Sequence, residues 1–377
     1  MKALSISYTN FRNIERETLS LSEGVNVIHG DNAQGKSNML EGLYFFARGR
    51  SFRGAKEKEL IRFGEKNCSL ELTFSCDSHK MPTTLGAEIP AQGKKSLYRN
   101  GARLSGLKEM MGNFRAVLFC PAHLSLVDGG PAMRRSFLDI ALGQLYPAYI
   151  DSLSDYNKTL TQRGVLLKEA QSKRVDPYLW DVYAERLARE GARLAARRWA
   201  YVSELSEAVS EIFHDMTDGR EVPSLTYKCD FLSEGMRVEE MVSEGEKRLY
   251  QLLTEGLEKD IRHGMTMCGI HRDDIAIKLN HKDAKLFASQ GQKRSLALSM
   301  KLSEGELSKK LTGEYPVFLL DDVLSELDAG RRAFIMSRLS GRQIIVTSCE
   351  DELFEGHGVS FAEVRGGRVV NEAVQDN

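Results

Sequence analysis

Short apolar runs and apolar-polar alternation predict strands over 3–8, 17–20 and 25–29. The turn "GDNAQGKS" follows, then a helix with Met39, Leu40, Leu43 and Ala47 on one face. Further strands are predicted over 68–75, 83–89 and 116–120, with a hairpin over 95–104 that turns at Asn100-Gly101, a type I′ pair. From about residue 131 the period becomes helical. The clearest run is 176–216, where Leu179, Tyr183, Leu187, Leu194, Val202 and Leu205 recur at helical spacing behind an Asp176-Pro177 start. A brief strand over 225–229 precedes a helix over 237–261. After Gly264 strands return over 265–268, 275–279 and 285–288; a long helix opened by Ser289 and buried strands over 317–322 and 344–347 complete the chain.

The pattern implies one α/β head built from both chain ends, with an inserted α-helical arm. The expected division is a head over 1–120, a helical arm domain over 121–264, and the second part of the head over 265–377. A chain of 377 residues exceeds what one hydrophobic core holds, which agrees with two lobes. Apolar residues at 42% and only 8 prolines describe a folded chain without long disordered tracts. The 52 basic and 53 acidic side chains cancel, so any nucleic-acid contact must come from local patches. Six scattered cysteines without a C-x-x-C read as reduced, buried thiols. The opening residues read as a strand rather than a signal peptide, and no apolar run reaches membrane-spanning length; a cytoplasmic location is expected.

Gly30, Asp31, Asn32, Ala33, Gln34, Gly35, Lys36 and Ser37 fit G-x-x-x-x-G-K-[ST] between a predicted strand and helix, with Asn38 next. The glycines let backbone amides turn inward on phosphate oxygens, and the helix N-terminus adds partial positive charge. Lys36 is expected to reach the β- and γ-phosphates of ATP, and the Ser37 hydroxyl to ligate Mg²⁺. Such a loop needs an acid at a strand end, and "VFLLDD" supplies Asp321 for the metal and Asp322 to orient or activate the attacking water. The interval from Lys36 to Asp321 is 285 residues (321 minus 36), so the sheet must be split in sequence by a large insertion.

Two shorter pieces complete an order more specific than any one of them. "SQGQ", Ser289 to Gln292, opens the long helix, and "SELD", ending in Asp328, follows the two acids. With "GPAMRRSFLD", "GIHRDDI" and "LSISYTNFRNIE", these motifs resemble the RecF family, in the chromosome-maintenance and repair branch of the ATP-binding-cassette (ABC) ATPases. Gln290 stands where that superfamily has the first glycine of its Ser-Gly-Gly-Gln signature. The resemblance implies an ATP- and Mg²⁺-dependent ATPase head and a homodimer with two ATPs at its seam. Ser289, Gly291 and Gln292 of one copy, with Asp328, would complete the site on the other. It also implies DNA binding in recombinational repair, loading of recombinase at single-strand gaps, RecO and RecR as partners, and Asn10 and Arg12 as candidates near the base. A chromosome-tethering coiled coil would need far longer heptad runs than this arm offers. No switch histidine follows 344–347, where Thr347, Ser348 and Cys349 stand, so slow hydrolysis is expected.

DNA contacts are expected by backbone phosphates, with Arg48, Arg50, Arg53 and Lys56 as candidates (Lys58 extends the cluster). Arg186, Arg189, Arg193, Arg197 and Arg198 on the arm helix read first as a solvated face laced by ion pairs. His271-Arg272-Asp273-Asp274 reads first as a turn tied by an Arg–Asp pair, and Arg134 and Arg135 as structural. The rival readings are a transporter's nucleotide-binding subunit, another DNA-tethering ATPase, a small-molecule kinase and a non-catalytic scaffold.

Overall fold

The computed structural model describes residues 1–77, 79–233, 235–349 and 359–374. The chain divides into two compact units, the first made of 1–125 and 294–377 and the second of 126–293.

In the first unit, β1 (Lys2–Phe11), β2 (Ile14–Ser20), β3 (Val25–His29), α1 (Lys36–Arg48), β4 (Asn67–Cys76), β5 (His79–Pro90), β6 (Ser96–Arg99), β7 (Ala102–Arg103), α2 (Leu107–Met110) and β8 (Ala116–Phe119) come from the N-terminal part. The second unit contains α3 (Pro131–Leu145), α4 (Pro147–Glu169), α5 (Pro177–Thr217), β9 (Pro223–Lys228), α6 (Val238–Glu255), α7 (Leu257–His263), β10 (Asp274–Leu279), β11 (Lys282–Asp283) and α8 (Ala284–Phe287). Helix α9 (Gln290–Thr312) begins in the second unit and leads the chain back to the first, where β12 (Val317–Asp321), α10 (Ala329–Arg338), β13 (Ile344–Ser348), β14 (Val359–Arg365) and β15 (Arg368–Val374) follow.

The first unit has two sheets. One is antiparallel, in the order β2-β1-β4-β5-β6-β7; the other runs β15-β14-β3-β13-β12-β8, parallel except for β15. Both chain ends therefore contribute to one sheet, as the 285-residue interval requires. Every residue of β12 and β13 is buried, which is why these strands read as unbroken apolar runs rather than alternations. Helix α1 packs against strands of both sheets. Its residues from Met39 to Ala47 are all buried, where one apolar face was expected; a helix enclosed on all sides has no polar face to show.

The second unit is built on α5, whose 41 residues make it about 60 Å long. Asp176 caps it by accepting from the Tyr178 amide at 3.0 Å. Helices α4 and α6 pack along it. Arg163, 1% exposed, donates to Asp260 at 2.7 Å and to Thr266 at 2.6 Å, a fully enclosed ion pair.

Four expectations are corrected here. The arm does not end at 264: β9 pairs antiparallel with β10, whose register couples Asp274 to Lys228, so residues 265–293 belong to the second unit. The helix expected over 237–261 is interrupted at Gly256, between α6 and α7. Residues 265–268 form no strand; the Met265 amide donates to the Asp260 carbonyl and the Met267 amide to the Asp260 carboxylate. Residues 285–288 likewise form no strand, because the Asp283 side chain accepts from the Leu286 amide and caps the single turn α8.

Candidate functional site

The loop between β3 and α1 sits at the C-terminal edge of the parallel strands. Gly30 has φ 138°, and a Cβ there would meet the Val364 carbonyl oxygen at 2.4 Å, so only glycine lets the chain leave β3 beside β14. Gly35 has φ 113° and precedes α1 without a side chain to cap it, which leaves first-turn amides to an external acceptor. Lys36 is buried, and its ammonium donates to the carbonyls of Gly30 at 2.5 Å and Asp31 at 2.9 Å and to Cys349 Sγ at 3.3 Å. Residues 32–38 line a cavity of about 350 Å³ together with Arg53, Asp322 and Thr347.

The acids arrive from β12, which β13 separates from β3. Asp321, the last residue of β12, is 7% exposed and accepts from the Thr347 hydroxyl at 3.0 Å. The same Thr347 oxygen accepts the Asp322 amide at 3.0 Å. Asp322 is exposed and left-handed, with φ 50°, so its carboxylate leaves the strand line at the cavity. The Ser37 hydroxyl and Asp321 carboxylate are hard oxygen donors, the set that suits Mg²⁺ completed by phosphate and water. Amides, an ammonium and the Asp322 carboxylate around one cavity, with Asp321 one residue behind, can hold a polyphosphate and direct a water at it.

Several residues were not found from sequence. The Asn13 amide donates to the Gln34 carbonyl at 3.1 Å, and its oxygen accepts from Asn38 at 2.9 Å, so the β1–β2 turn buttresses the phosphate loop. In the sequence Thr347 stands out only as a departure from a histidine. Cys349, expected as a buried thiol, is instead exposed, and donates to the Asn32 side chain at 3.1 Å; Cys68 and Cys120 are buried as expected. Thr347 and Cys349 meet the loop through the pairing of β13 with β3, and Asn13 through a turn of the other sheet; no local pattern carries either.

The DNA candidates separate. Arg53 lines the phosphate-loop cavity and donates to Asn38 at 2.9 Å. Arg48 is half-buried, donates to the Ser51 carbonyl, and has its pKa lowered by burial. Arg50 and Lys56 are exposed. Arg12 makes a bidentate pair with buried Glu41, both contacts at 2.8 Å, which is a structural use of that side chain.

Ser289 is the N-cap of α9: its hydroxyl accepts the Gln292 amide at 3.2 Å while the Gln292 side chain accepts the Ser289 amide at 2.6 Å. Gly291 lies in the first turn between them. Asp328 caps α10, and the Arg331 amide, followed by the Arg331 guanidinium, holds its carboxyl below the usual range. Arg294 on α9 donates to the Glu326 carbonyl at 3.1 Å, and Arg331 to Ser295 at 3.0 Å, so the part of α9 within the first unit is fastened to the segment that follows the acids.

Arg134, Arg135, His271 and Arg198 are structural. Arg134 forks onto Asp274 at 2.7 and 2.8 Å, and Arg135 donates to the Asp273 carbonyl at 2.7 Å. The Arg–Asp tie in the His271–Asp274 turn thus comes from α3 rather than from Arg272. Burial lowers the His271 pKa, and its ring bonds Tyr156 and the Thr266 carbonyl. Arg198, counted with the exposed stripe, is buried against Asp139 at 2.7 Å.

Comparison with known proteins agrees with this geometry. The sequence profile of the RecF/RecN/SMC N terminal domain matches residues 3–366. The DNA replication and repair protein RecF of Clostridioides difficile (strain 630) is 35% identical over 374 residues, 98% of either chain. That of Staphylococcus carnosus (strain TM300) is 37% identical, covering 93% of this chain and 94% of the relative. A solved structure of the recombination mediator protein RecF with ATP, in the RecFOR pathway, superposes with a TM-score of 0.91 at 33% identity over 99% of this chain and 98% of that one. A Smc head bound to the C-winged helix domain of ScpA, at 16% identity and a TM-score of 0.57, shares the fold. The chain belongs to the RecF family, and its α/β head has the architecture common to RecF and SMC proteins.

Proposed function

We propose that this chain is an ATP-gated DNA-binding ATPase of recombinational repair and replication-fork maintenance, which helps load recombinase at single-strand gaps. The observation that carries the reading is the cavity lined by the Lys36 loop, Asp322 and Thr347 at one edge of the parallel sheet, with Asp321 held behind it by the Thr347 hydroxyl. Bound ATP with Mg²⁺ supplies the phosphoanhydride to be cleaved and the charge that the loop recognises. Lys36 exchanges the Gly30 and Asp31 carbonyls for phosphate oxygens. Ser37 and Asp321 hold the metal, and Asp322 orients the attacking water. Residues 30–38 cradle the phosphates from one side and leave the far side for a second protein surface.

That surface is the turn Ser289–Gln292 of another copy, with Asp328 beside the seam. Support comes from exposed Leu286 and Phe287, 73% and 69% accessible, immediately before the turn. Two such contacts about a two-fold axis close an isologous dimer on DNA. The dimer binds ATP best and is therefore favoured by it, and hydrolysis removes the linkage. Thr347 and Cys349, in place of a switch histidine, support slow turnover. Arg50 and Lys56 remain the phosphate-contact candidates on the head. Family membership supports RecO and RecR as partners and a cytoplasmic location, and nothing in the site favours the transporter, kinase or scaffold readings.

The test is light scattering with and without ATP and Mg²⁺, with and without gapped DNA, on wild type and Lys36→Arg. ATP should convert wild type to dimer, and more so with DNA; the variant should stay monomeric. Equal monomer fractions with and without nucleotide in wild type overturn the reading. DNA affinity should fall steeply with salt, and a flat response would remove the phosphate contacts.

A further inference from the structure

A second cavity lies within the second unit, where α3, α4, α5 and α6 meet. It measures about 820 Å³, within the range of roughly 300–1,000 Å³ of ligand pockets, and its surface is mostly apolar. Leu145, Pro147, Leu194 and Val242 form its apolar wall. Arg193 and Arg197, one helical turn apart on α5, line it with them.

The two arginines differ from the buried one beside them. Arg198 is neutralised by Asp139 at 2.7 Å and bonds the Tyr149 hydroxyl at 2.9 Å, so the network under the cavity is electrically closed. Among the described residues Arg193 has only the Glu190 carboxylate, at 3.3 Å, and its side chain is 56% exposed. Arg197 makes no ion pair among the described residues; its guanidinium lies over the Tyr146 ring, 4.8 Å from the centroid. The ring holds that cation at the cavity without cancelling its charge. Arg186, exposed and two turns before Arg193 on the same face of α5, extends the positive stripe.

We propose that this cavity docks an acidic peptide segment of a partner protein, with a bulky apolar side chain seated against Leu145, Pro147 and Val242 and flanking carboxylates on Arg197 and Arg193. Charge and shape both select this occupant. An apolar wall rewards a buried side chain, which a phosphate backbone does not offer. A guanidinium over a ring keeps its charge and N–H groups for a carboxylate, which it can bind as a fork. The anchor-and-rim arrangement is that of protein interfaces, where a few buried apolar contacts carry affinity and charged neighbours select the partner.

The experiment selects a random dodecapeptide library on the full-length protein and measures the winners by fluorescence anisotropy. Two variants discriminate. Ala148→Trp fills the cavity from an exposed helical position, and Arg197→Glu reverses the charge at the rim. Selected peptides should carry acids around a bulky apolar residue and should lose at least roughly tenfold in affinity on either variant, with the circular dichroism of both unchanged. Arg197→Lys should retain part of the binding. The proposal is overturned if no peptide is sensitive to Ala148→Trp, or if the winners lack acids and ignore Arg197→Glu. It is also overturned if affinity for a DNA oligonucleotide, rather than for peptides, is what Ala148→Trp removes.

Discussion

One hydroxyl, that of Thr347, holds both acids of the site: it donates to Asp321 and accepts the Asp322 amide. Thr347→Val keeps the shape and removes both bonds. Leaving a buried carboxylate oxygen and an amide without a partner costs about 1–3 kcal/mol, here against the geometry of the metal and water sites. ATP hydrolysis should fall by about tenfold to a hundredfold while the melting temperature moves only a few degrees. Unchanged hydrolysis with an unchanged melting temperature would dismiss the positioning role. Asp273 acts on stability instead. Burial pushes its carboxyl up to about 6, outweighing the Tyr227 hydroxyl and Arg198, which favour the charged form. A carboxyl raised in the folded state binds its proton more tightly there than in the unfolded chain. Its contribution is therefore present at low pH and lost as pH rises through about 6. Relative to Asp273→Asn, wild type should lose roughly 2 kcal/mol of unfolding free energy between pH 4 and 7. Urea titrations at both pH values measure this, and parallel curves for the two proteins contradict it. The residues legible in the sequence were those whose partners are adjacent in the chain, Gly30 to Ser37 above all. Thr347 and Cys349 reach the loop through the pairing of β13 with β3, Asn13 from a turn of the other sheet and Arg53 from the turn after α1, and a single sequence carries no record of these juxtapositions.

Among elements, long regular periods were legible and short segments were not. Helix α5 and the apolar strands β12 and β13 came through because enclosure fixes their composition. Residues 265–268 and 285–288 have strand-like composition, yet side-chain bonds from Asp260 and Asp283 decide their conformation. Glycine shows the same dependence on context inside helices. At Gly191 of α5 an added Cβ would lie 2.6 Å from Leu249 and 3.2 Å from Tyr156, both fully buried. Tyr156 is further fixed by its bond to His271 at 2.9 Å, so neither neighbour can give way easily. At Gly164 of α4 nothing lies within 4 Å of the added atom. Helix propensity alone favours alanine over glycine by about 1 kcal/mol at both sites. Gly164→Ala should therefore stabilise the protein by about 0.5–1 kcal/mol, and Gly191→Ala should destabilise it by about 1–3 kcal/mol. Chemical denaturation of both variants tests the contrast. Equal, stabilising shifts would mean that α5 and α6 separate to admit the methyl group.

At the scale of the whole chain, the phosphate loop and both acids lie in the first unit, whereas Ser289 to Gln292 lie in the second. Sequence order shows that these pieces exist; it does not say whether they act on the same nucleotide within one chain. The proposed dimer answers that the turn serves the ATP of the opposing copy, and mixing two defective proteins decides it. Lys36→Ala removes the phosphate contact and leaves the turn intact. Ser289→Arg removes the capping hydroxyl and puts a bulky cation at the seam, leaving the phosphate loop untouched. Each alone should hydrolyse ATP poorly, since in either homodimer every composite site has one defective half. In a mixed dimer, one site joins two defective halves and the other joins the intact loop of the Ser289→Arg chain to the intact turn of the Lys36→Ala chain. Random pairing makes half the dimers mixed, so hydrolysis should recover to at most about a quarter of wild type. If the turn acted on the ATP of its own chain, no pairing would unite two intact halves and the mixture would stay as inactive as its parts. Ser289→Arg must also bind ATP as a monomer with wild-type affinity. A loss of helicity in that variant would show that the hydroxyl's bond to the Gln292 amide is what keeps the start of α9 folded.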